Sequence, residues 1–225
     1  MLGPMEIGVL GATGPAGRGV VARLASLGHD VIAGSRQRTR AEQLVEELRE
    51  QWGDRVATLR PGVNDEAAAA PDLVVVATTW EAALETTRAH ASQLAGKVVI
   101  AMANALRKVG REFVVVPTKE GSIAAAMQAA APESRVVAAL QHVPAQALGD
   151  LDHELATDVV VCADDDAARQ LVIQLLDTIP GVRAFDGGSL ANAAGVEAFA
   201  APLLTANLRH RAEYTLRLAG EERGR

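Results

Sequence analysis

The stretch GVLGATGPAGRGVVARLASLGHDVIAGSRQRTR, residues 8–40, decides the fold of this chain. Its first apolar residues end a strand predicted over residues 5–10, and its glycines at three-residue spacing lead into a helix predicted over residues 15–27. In such a turn the first glycine allows a sharp bend, the second lets backbone approach a pyrophosphate, and the third lets the helix pack on the strand. Free N–H groups and the helix dipole then face the anion. The segment from Gly11 to Gly17 therefore predicts a dinucleotide site, and the alternative is a turn that only packs tightly.

The second predicted strand, residues 30–34, ends at a hydroxyl and a cationic cluster. NAD sites place Asp or Glu here, to accept hydrogen bonds from the ribose 2′-OH. This chain has Ser35 and Arg36 instead, followed by Arg38 and Arg40. A carboxylate would repel a 2′-phosphate, whereas a hydroxyl and guanidinium groups bind one through charge-assisted hydrogen bonds. The sequence favours NADP(H) over NAD(H); the alternative is that Arg38 and Arg40 are solvated residues at a helix start, where the helix dipole disfavours them.

Beyond this unit, short apolar strands alternate with helical segments along most of the chain. Continuous apolar strands such as 72–78 and 97–102 imply a parallel sheet covered on both faces. The predicted fold class is α/β, a Rossmann-type doubly wound parallel sheet with a smaller C-terminal α/β domain. We expect the NADP-binding Rossmann domain at residues 5–148 and the smaller domain at residues 149–225. Further predicted elements are strands at 56–59, 135–140, 158–163 and 182–188, and helices at 38–52, 81–90, 121–131 and 166–179.

Two segments have a less regular pattern. Residues 103–120 are of mixed character and read as a long functional loop. The tail from Ser189 is rich in Ala and Leu, so we expect it to be mainly helical, with a kink or a boundary at Pro202.

Composition limits the partners and the compartment. The formal net charge of −6 argues against a general binder of nucleic acid or of anionic membranes. No unbroken apolar run reaches the roughly 18 residues of a membrane helix, and the first residues lack the pattern of a secretion signal. The single cysteine, Cys162, lies in an apolar run and fits a reducing compartment. We expect a cytoplasmic protein whose partners are small redox coenzymes.

With these residues placed, the chain resembles the NADPH-dependent reductases of coenzyme F-420, an 8-hydroxy-5-deazaflavin. The resemblance runs from Met5 to about Leu218 and rests on the order and spacing of several segments: GATGPAG, LGHDVIAGSR, TTWEAAL, LQHVPAQAL, VCADDDAA and DGGSLANAAGVEA. It implies reversible hydride transfer between NADPH and F-420. It also implies that the deazaflavin ring binds in a cleft between the two domains.

The resemblance further implies a set of cofactor contacts. They comprise Thr13, Gly14, Pro15 and Ala16 at the pyrophosphate; Ser35, Arg36 and Arg40 at the 2′-phosphate; Trp80 and Leu84 beside the nucleotide; Leu106 and Ala145 near the nicotinamide; and Leu216, placed in the final helix, reaching the cofactors from the second domain. The stretch AMANALRKVG departs from the Pro-rich versions of its loop in the family, which affects the match at Leu106.

Hydride transfer from nicotinamide C4 to deazaflavin C5 is carried by cofactors at both ends, so no catalytic acid or base is required. The sequence accordingly offers no metal-binding histidine spacing and no G-x-S-x-G motif. Tyr214 is not followed by a lysine four residues later, which argues against a tyrosine-dependent short-chain dehydrogenase. His142 follows a buried strand at its carboxyl end, where α/β sheets bind ligands; it either contacts a cofactor ring or fixes the loop through Val143 and Pro144. The run 164–166, three aspartates, reads as a helix N-cap and first turn more readily than as a metal cluster.

Two other functions share the glycine turn and the arginines. One is an NADP-dependent reductase of a small imine or carbonyl compound, although such enzymes usually have a longer all-helical second domain than residues 149–225 allow. The other is a regulator that binds NADP without turnover and needs no second cofactor site. The helical tail is apolar enough to join two subunits, so a homodimer is expected.

Overall fold

The computed structural model describes residues 2–220 and contains one large mixed sheet. The strands are β1 (Glu6–Leu10), β2 (Asp30–Ser35), β3 (Leu59–Val63), β4 (Leu73–Val76), β5 (Val98–Ala101), β6 (Leu106–Val109), β7 (Glu112–Val115), β8 (Arg135–Ala138), β9 (Thr157–Ala163) and β10 (Val182–Asp186). Eight of them form the sheet in the order β10-β9-β8-β5-β4-β1-β2-β3, and β6 and β7 form a separate antiparallel hairpin. Within the sheet only the β8–β9 pair is antiparallel.

Helices cover both faces of this sheet. They are α1 (Pro15–Ser26), α2 (Arg38–Trp52), α3 (Asn64–Ala68), α4 (Trp80–Ala89), α5 (Ala91–Leu94), α6 (Ile123–Ala130), α7 (Ala145–Gly149), α8 (Asp166–Leu176) and α9 (Ala193–His210), with 3-10 turns at Gly53–Val56 and Leu190–Asn192. The predicted α/β class with a doubly wound, mostly parallel sheet is confirmed. Among the described residues, no helix combines the length and the apolar character needed to span a membrane.

The central strands are apolar throughout because each of their faces packs into a different core. On β4, Leu73 and Val75 belong to the core shared with α1, α2 and α8, while Val74 and Val76 belong to the core shared with α3, α4 and α6. All four side chains are fully buried. Burial on both faces is what makes a parallel strand a continuous apolar run rather than an alternating one. The same arrangement places the carboxyl ends of β1, β2, β4, β5 and β8 along one edge, called the carboxyl edge below.

The strand predicted at 56–59 is wrong for most of its length. Val56 ends a 3-10 turn and is fully buried there, and β3 begins only at Leu59. The strand continues through Pro61 and Gly62, two residues that argue against a strand when they are read locally. Proline is tolerated because β3 is the outermost strand and pairs only with β2.

The segment 103–120, predicted as a loop, contains the β6–β7 hairpin. Gly110, with φ of +60°, makes the turn between the two strands. The hairpin leaves the sheet and packs against α9, where the Thr205 hydroxyl accepts a hydrogen bond from Phe113 N–H (2.8 Å). The hairpin was not evident from the mixed local pattern because it is stabilised by packing against a distant helix.

The tail differs from its prediction in where its helix ends, and Pro202 is not a helix boundary. Helix α9 runs through Pro202 without ending and stops at His210, where Arg211 adopts a left-handed conformation with φ of +53°. Leu216 therefore lies beyond the final helix rather than in it. The described residues after Arg211 form no regular element and return to the sheet beside β9.

The C-terminal segment extends the N-terminal sheet. Strand β9 pairs with β8 through residues 137–138 and 162–163, and β10 adds outside β9. Glu197 of α9 is buried and accepts N–H groups of Ile123 (2.8 Å) and Ala124 (3.0 Å) at the start of α6. The division at residue 148 stays a prediction.

Candidate cofactor-binding site

The turn between β1 and α1 lies at the carboxyl edge. Gly11 has φ of +79°, and a Cβ at Gly17 would lie 2.3 Å from the Gly11 carbonyl oxygen, so the packing of the turn itself requires both glycines. Gly14 is different, because its φ is −77° and a Cβ there would come no closer than 3.5 Å to non-neighbouring atoms. The fold therefore accounts for Gly11 and Gly17 but not for Gly14. A missing side chain at that position fits close approach of a bound pyrophosphate.

The amino end of α1 is open to an anion. Thr13 and Pro15 are exposed, and Gly14 and Ala16 are half-buried. Within residues 2–220, no side chain caps this helix and no acidic residue lies in its first turn. The N–H dipoles of the first turn are therefore available to a negative group.

Two arginines after the end of β2 are not engaged by any carboxylate of the described residues. Ser35 is buried and its hydroxyl oxygen accepts the Gln37 N–H (3.3 Å), whereas Arg36 and Arg40 are exposed. Across the described range 2–220, no carboxylate lies within ion-pair distance of either arginine.

Arg38 differs from its two neighbours because it is ion-paired with Glu66. That carboxylate also accepts the Val63 N–H (3.1 Å), which holds it in place at the start of α3. The residues alone did not separate Arg38 from its two neighbours, whereas the set of contacts implied by the resemblance included Arg36 and Arg40 and not Arg38. Arg36 and Arg40 are left exposed and without a carboxylate partner in residues 2–220.

Trp80 and Leu84 occupy the first two turns of α4, after the carboxyl end of β4, and both are half-buried. Trp80 also packs against the core on the α3–α4–α6 side of the sheet. It can therefore serve both as a cap over the sheet and as a wall of the site. Thr78, which the sequence analysis did not single out, contacts the glycine turn: its methyl group lies 2.6 Å from where a Cβ at Gly11 would be.

The loops that follow β5 and β8 are tied together. Asn104 Nδ2 donates to the Gln141 carbonyl (2.7 Å), and Gln141 Nε2 donates to the Ala101 carbonyl (3.2 Å). Leu106 is the half-buried first residue of β6, two positions after Asn104. Leu140 has φ of +70°, a strained conformation for a residue with a branched side chain.

His142 is buried at the carboxyl end of β8 and has one nitrogen in use. Its Nε2 lies 2.8 Å from the Asp158 carbonyl oxygen, so Nε2 carries a proton and donates. Burial lowers the pKa of His142, and the ring is neutral near pH 7. Its Nδ1 is then an acceptor, buried and without a partner among the described residues. The bond to Asp158 supports the loop-fixing role, and contact with a cofactor ring stays a prediction.

Helix α7 starts with Ala145 and is held directly against α1. A Cβ at Gly19 would lie 2.7 Å from the Ala145 carbonyl oxygen, so only glycine allows this approach. Arg23, also on α1 and buried, donates from Nε to the Leu148 carbonyl (3.0 Å). The helix that begins at the predicted pyrophosphate site thus sets the position of the segment predicted to lie near the nicotinamide. A groove of about 600 Å³ runs beside this contact and is lined by Pro15, Ala145 and Glu213 among others.

The three aspartates at 164–166 have structural partners. Asp165 caps α8 by accepting the Ala168 N–H (2.7 Å), Asp164 accepts the Leu190 N–H (3.0 Å), and Asp166 pairs with Arg169 (2.6 Å). The N-cap interpretation is confirmed. Among the described residues, no group of three or more His, Cys, Asp or Glu side chains is arranged to hold a metal ion.

Comparison with known proteins decides the family. The F-420-dependent NADP reductase of Methanocaldococcus jannaschii is 33% identical over 217 residues, which cover 94% of this chain and 96% of that relative. The chain belongs to the F-420-dependent NADP reductase family. The F-420-dependent NADP reductase of Methanothermobacter thermautotrophicus is 31% identical, with coverage of 92% and 91%. Residues 6–105 match the family model described as NADP oxidoreductase coenzyme F-420-dependent.

Solved structures agree with this assignment. A candidate F-420-dependent NADP reductase from Arthrobacter sp. FB24 superposes with a TM-score of 0.82 at 28% identity, covering 96% of this chain and 100% of that one. A pyrroline-5-carboxylate reductase from Coxiella burnetii shares the fold alone, with a TM-score of 0.60 at 15% identity over 88% of this chain and 64% of its own. The resemblance stated from the sequence motifs is confirmed.

In this F-420-dependent NADP reductase family member, the carboxyl edge brings together most of the predicted contacts. Leu216 reaches the same edge by a route that the sequence did not indicate: its carbonyl accepts the Asp158 N–H (2.8 Å), and the Asp158 carbonyl is bonded to His142. Asp158, Arg23 and Thr78 are the residues that sequence reasoning missed. Their partners lie far away in the chain, and no local pattern marks them.

Proposed function

We propose that this chain catalyses reversible hydride transfer between NADPH and the 8-hydroxy-5-deazaflavin coenzyme F-420. The observation that carries the proposal is family membership over nearly the whole chain, with relatives named F-420-dependent NADP reductase. When bound, the nicotinamide and the deazaflavin supply the hydride chemistry at their own carbon atoms. The residues of this chain bind and orient the two rings, and no residue needs to act as a general acid or base.

The phosphates of NADP(H) are assigned to two neighbouring segments. Thr13, Gly14, Pro15 and Ala16 would hold the pyrophosphate at the open amino end of α1. Ser35, Arg36 and Arg40 would hold the 2′-phosphate, with Arg38 kept by its ion pair to Glu66. The residues present fit this cofactor, because Gly14 has no packing reason to be glycine and two arginines lack protein carboxylates in the described chain.

A pair of matched variants tests the 2′-phosphate assignment. Arg36→Gln should weaken NADP⁺ binding, because a charge-assisted hydrogen bond is lost. Arg38→Gln removes the same charge two residues away and should leave the Kd for NADP⁺ close to that of the wild type. Equal losses in both variants, measured by calorimetry, would contradict the assignment.

The nicotinamide end is assigned to residues from several loops. Trp80 and Leu84 would flank the nucleotide, Leu106 and Ala145 would lie near the nicotinamide, and Leu216 would close the site from the tail. His142 would fix the loop after β8 and could accept a hydrogen bond at Nδ1. Orientation of this kind can contribute roughly 7–11 kcal/mol to a reaction between two bound groups.

Turnover is tested by mixing the protein with NADPH and F-420 and following the visible absorbance of the deazaflavin. Loss of that absorbance with NADPH, and its slower loss with NADH, is the expected result. Oxidation of NADPH only when a cyclic imine is supplied would overturn the proposal in favour of an imine reductase. Binding of NADP⁺ without any turnover would point instead to a sensing role.

We also propose a cytoplasmic homodimer with a nucleotide-binding unit at 5–148 and a smaller unit from 149 onward. Support for the dimer comes from apolar residues left exposed on α9 and on the hairpin packed against it: Phe199 is 45% exposed, Val109 48% and Val115 47%. The buried thiol of Cys162 suits a reducing compartment. Light scattering measures the molar mass of the wild type and of Phe199→Glu and so tests the dimer. Equal masses for the two proteins would contradict this interface.

A further inference from the structure

Asp158, the second residue of β9, is a fully buried carboxylate held by two arginines and a backbone amide. Its Oδ1 accepts hydrogen bonds from Arg183 Nε (2.8 Å) and Arg217 Nη1 (2.8 Å), and its Oδ2 accepts the Leu218 N–H (2.6 Å). A buried charge with this many donors is strongly coupled to all of them, because losing one leaves the carboxylate incompletely paired away from water. Arg217 and Leu218 come from the tail, and Arg183 comes from β10.

The tail segment 211–218, here called the C-terminal strap, depends on polar contacts for its position. None of its residues is fully buried, and Tyr214 and Leu218 are 48% and 42% exposed. Asn207 exchanges two hydrogen bonds with the Tyr214 backbone, at 2.7 and 3.1 Å, and the Thr215 hydroxyl donates to the Ala156 carbonyl (2.6 Å). With so little apolar burial, hydrophobic packing contributes little to where the strap lies.

The backbone of Asp158 joins the strap to the loop that follows β8. Its N–H donates to the Leu216 carbonyl (2.8 Å), and its carbonyl accepts a hydrogen bond from His142 Nε2 (2.8 Å). Because β9 runs antiparallel to β8, the start of β9 lies at the carboxyl edge, where β8 ends. Asp158 thus contacts the strap with its side chain and both the strap and His142 with its main chain.

We propose that Asp158 is a positioning residue for hydride transfer, which holds Leu216 of the C-terminal strap beside the His142 loop at the nicotinamide end of the site. The inference rests on the proposed function. A strap released from Asp158 would leave the proposed phosphate-binding residues in place, since those lie on the turn after β1 and at the end of β2 and, within residues 2–220, make no hydrogen bond or ion pair with the strap. Release of the strap would allow the nicotinamide and deazaflavin rings to shift relative to each other. The rate of hydride transfer is sensitive to displacements of about 1 Å.

Arg217→Gln tests the proposal from the exposed end of the contact. The side chain of Arg217 is 45% exposed, so its replacement should leave the protein folded. Arg60→Gln is the control, since the Arg60 side chain is exposed to a similar extent (52%) and pairs with Glu6, an exposed carboxylate at the opposite edge of the sheet (2.6 Å). The readouts are the single-turnover rate of F-420 reduction by NADPH, the Kd for NADP⁺, and amide hydrogen exchange across residues 211–218.

The expected result is a split between rate and binding. Arg217→Gln should lower the hydride-transfer rate roughly 10- to 100-fold, raise exchange in the strap, and leave the Kd for NADP⁺ unchanged. Arg217→Lys should recover part of the rate, and Arg60→Gln should behave as the wild type. A wild-type rate in Arg217→Gln, or an equal loss of rate and of NADP⁺ affinity, would overturn the proposal.

Asp158→Asn supplies an independent check on the same contact. If Asp158 and Arg217 act together, the double variant should lose little more rate than either single variant, whereas additive losses would overturn the proposal. The outcome is separable from the proposed function. A wild type that transfers no hydride between NADPH and F-420 refutes the function, while an active wild type matched by Arg217→Gln refutes only the role of Asp158.

Discussion

Gly14→Ala tests whether the glycine after β1 is needed for packing of the turn or for close approach of the pyrophosphate. The new Cβ would lie 3.5 Å from the Gly11 carbonyl oxygen and 3.8 Å from that of Ala77, which are ordinary contact distances. Alanine is the poorer N-cap residue, but it also reduces the freedom of the unfolded chain, and each effect is about 0.5–1 kcal/mol with opposite sign. The free energy of unfolding without ligand should therefore change by less than about 1 kcal/mol.

Binding should respond far more strongly to the same substitution. Gly14 is the N-cap residue of α1, whose first-turn N–H groups are proposed to bind the pyrophosphate, so we expect an added Cβ to interfere with the bound anion. Losing one charge-assisted hydrogen bond costs about 1.5–3 kcal/mol, which raises the Kd for NADP⁺ roughly 10- to 150-fold.

Calorimetric titration with NADP⁺ and thermal unfolding of the ligand-free protein together measure both effects. Gly17→Ala serves as the contrasting variant, because its Cβ would lie 2.3 Å from the Gly11 carbonyl oxygen and should destabilise the fold itself. If Gly14→Ala binds NADP⁺ as tightly as the wild type, the open backbone is not where the pyrophosphate lies. If it unfolds as readily as Gly17→Ala, packing alone explains the glycine.

Three further outcomes are expected. Arg36→Asp should raise KM for NADPH by one to two decades, because it loses a contact of about 1.5–3 kcal/mol. In steady-state assays the preference for NADPH over NADH should become smaller. An unchanged preference would contradict the 2′-phosphate assignment. Gly19→Ala would bring a Cβ to 2.7 Å from the Ala145 carbonyl oxygen, so α7 must move. Single-turnover hydride transfer should then slow while the Kd for NADP⁺ stays unchanged. An unaffected rate would show that α7 does not set the geometry of the two rings. The Arg183 guanidinium and its neighbours hold the pKa of Asp158 in the folded protein well below its usual range. Around and below the pKa of an unfolded aspartate, about 3.9, the unfolded chain therefore binds more protons than the folded one. Stability measured by urea unfolding should fall as the pH drops below about 5, and Asp158→Asn should show a flatter dependence; identical pH profiles would refute this.

The parts of the fold that local signals specify could be predicted from the sequence. The first helix and strand of the glycine unit were placed to within a residue, and α2 was predicted at 38–52, where it lies. Each of these elements carries its own signal: a glycine turn, an apolar run buried on both faces, or apolar residues at helical spacing. The cofactor preference followed from the same short stretch, because the second strand ends where the ribose would be.

The parts that depend on distant partners could not be predicted. Strand β3 contains Pro61 and Gly62 and forms because β2 offers it an edge, while the hairpin at 106–115 forms against α9. The strap beside β9 has no pattern of its own. Asp158 finds Arg183 and Arg217 at separations of 25 and 59 residues, and a lone aspartate in an apolar strand does not indicate which cation it meets.

We therefore expect affinity and rate to have different structural origins in this chain. The residues proposed to bind the phosphates lie within one contiguous stretch, and their chemistry is that of open amides and arginines not engaged by carboxylates in residues 2–220. The proposed nicotinamide end comprises three separate segments, each tied to a backbone carbonyl or amide: Asn104 to Gln141, Arg23 to α7, and Asp158 to the strap. A reaction whose hydride is carried by cofactors at both ends gains from fixed distances and not from a catalytic acid. Substitutions in the contiguous stretch should consequently change Kd, whereas substitutions in the tethers should change the rate of the chemical step at constant Kd.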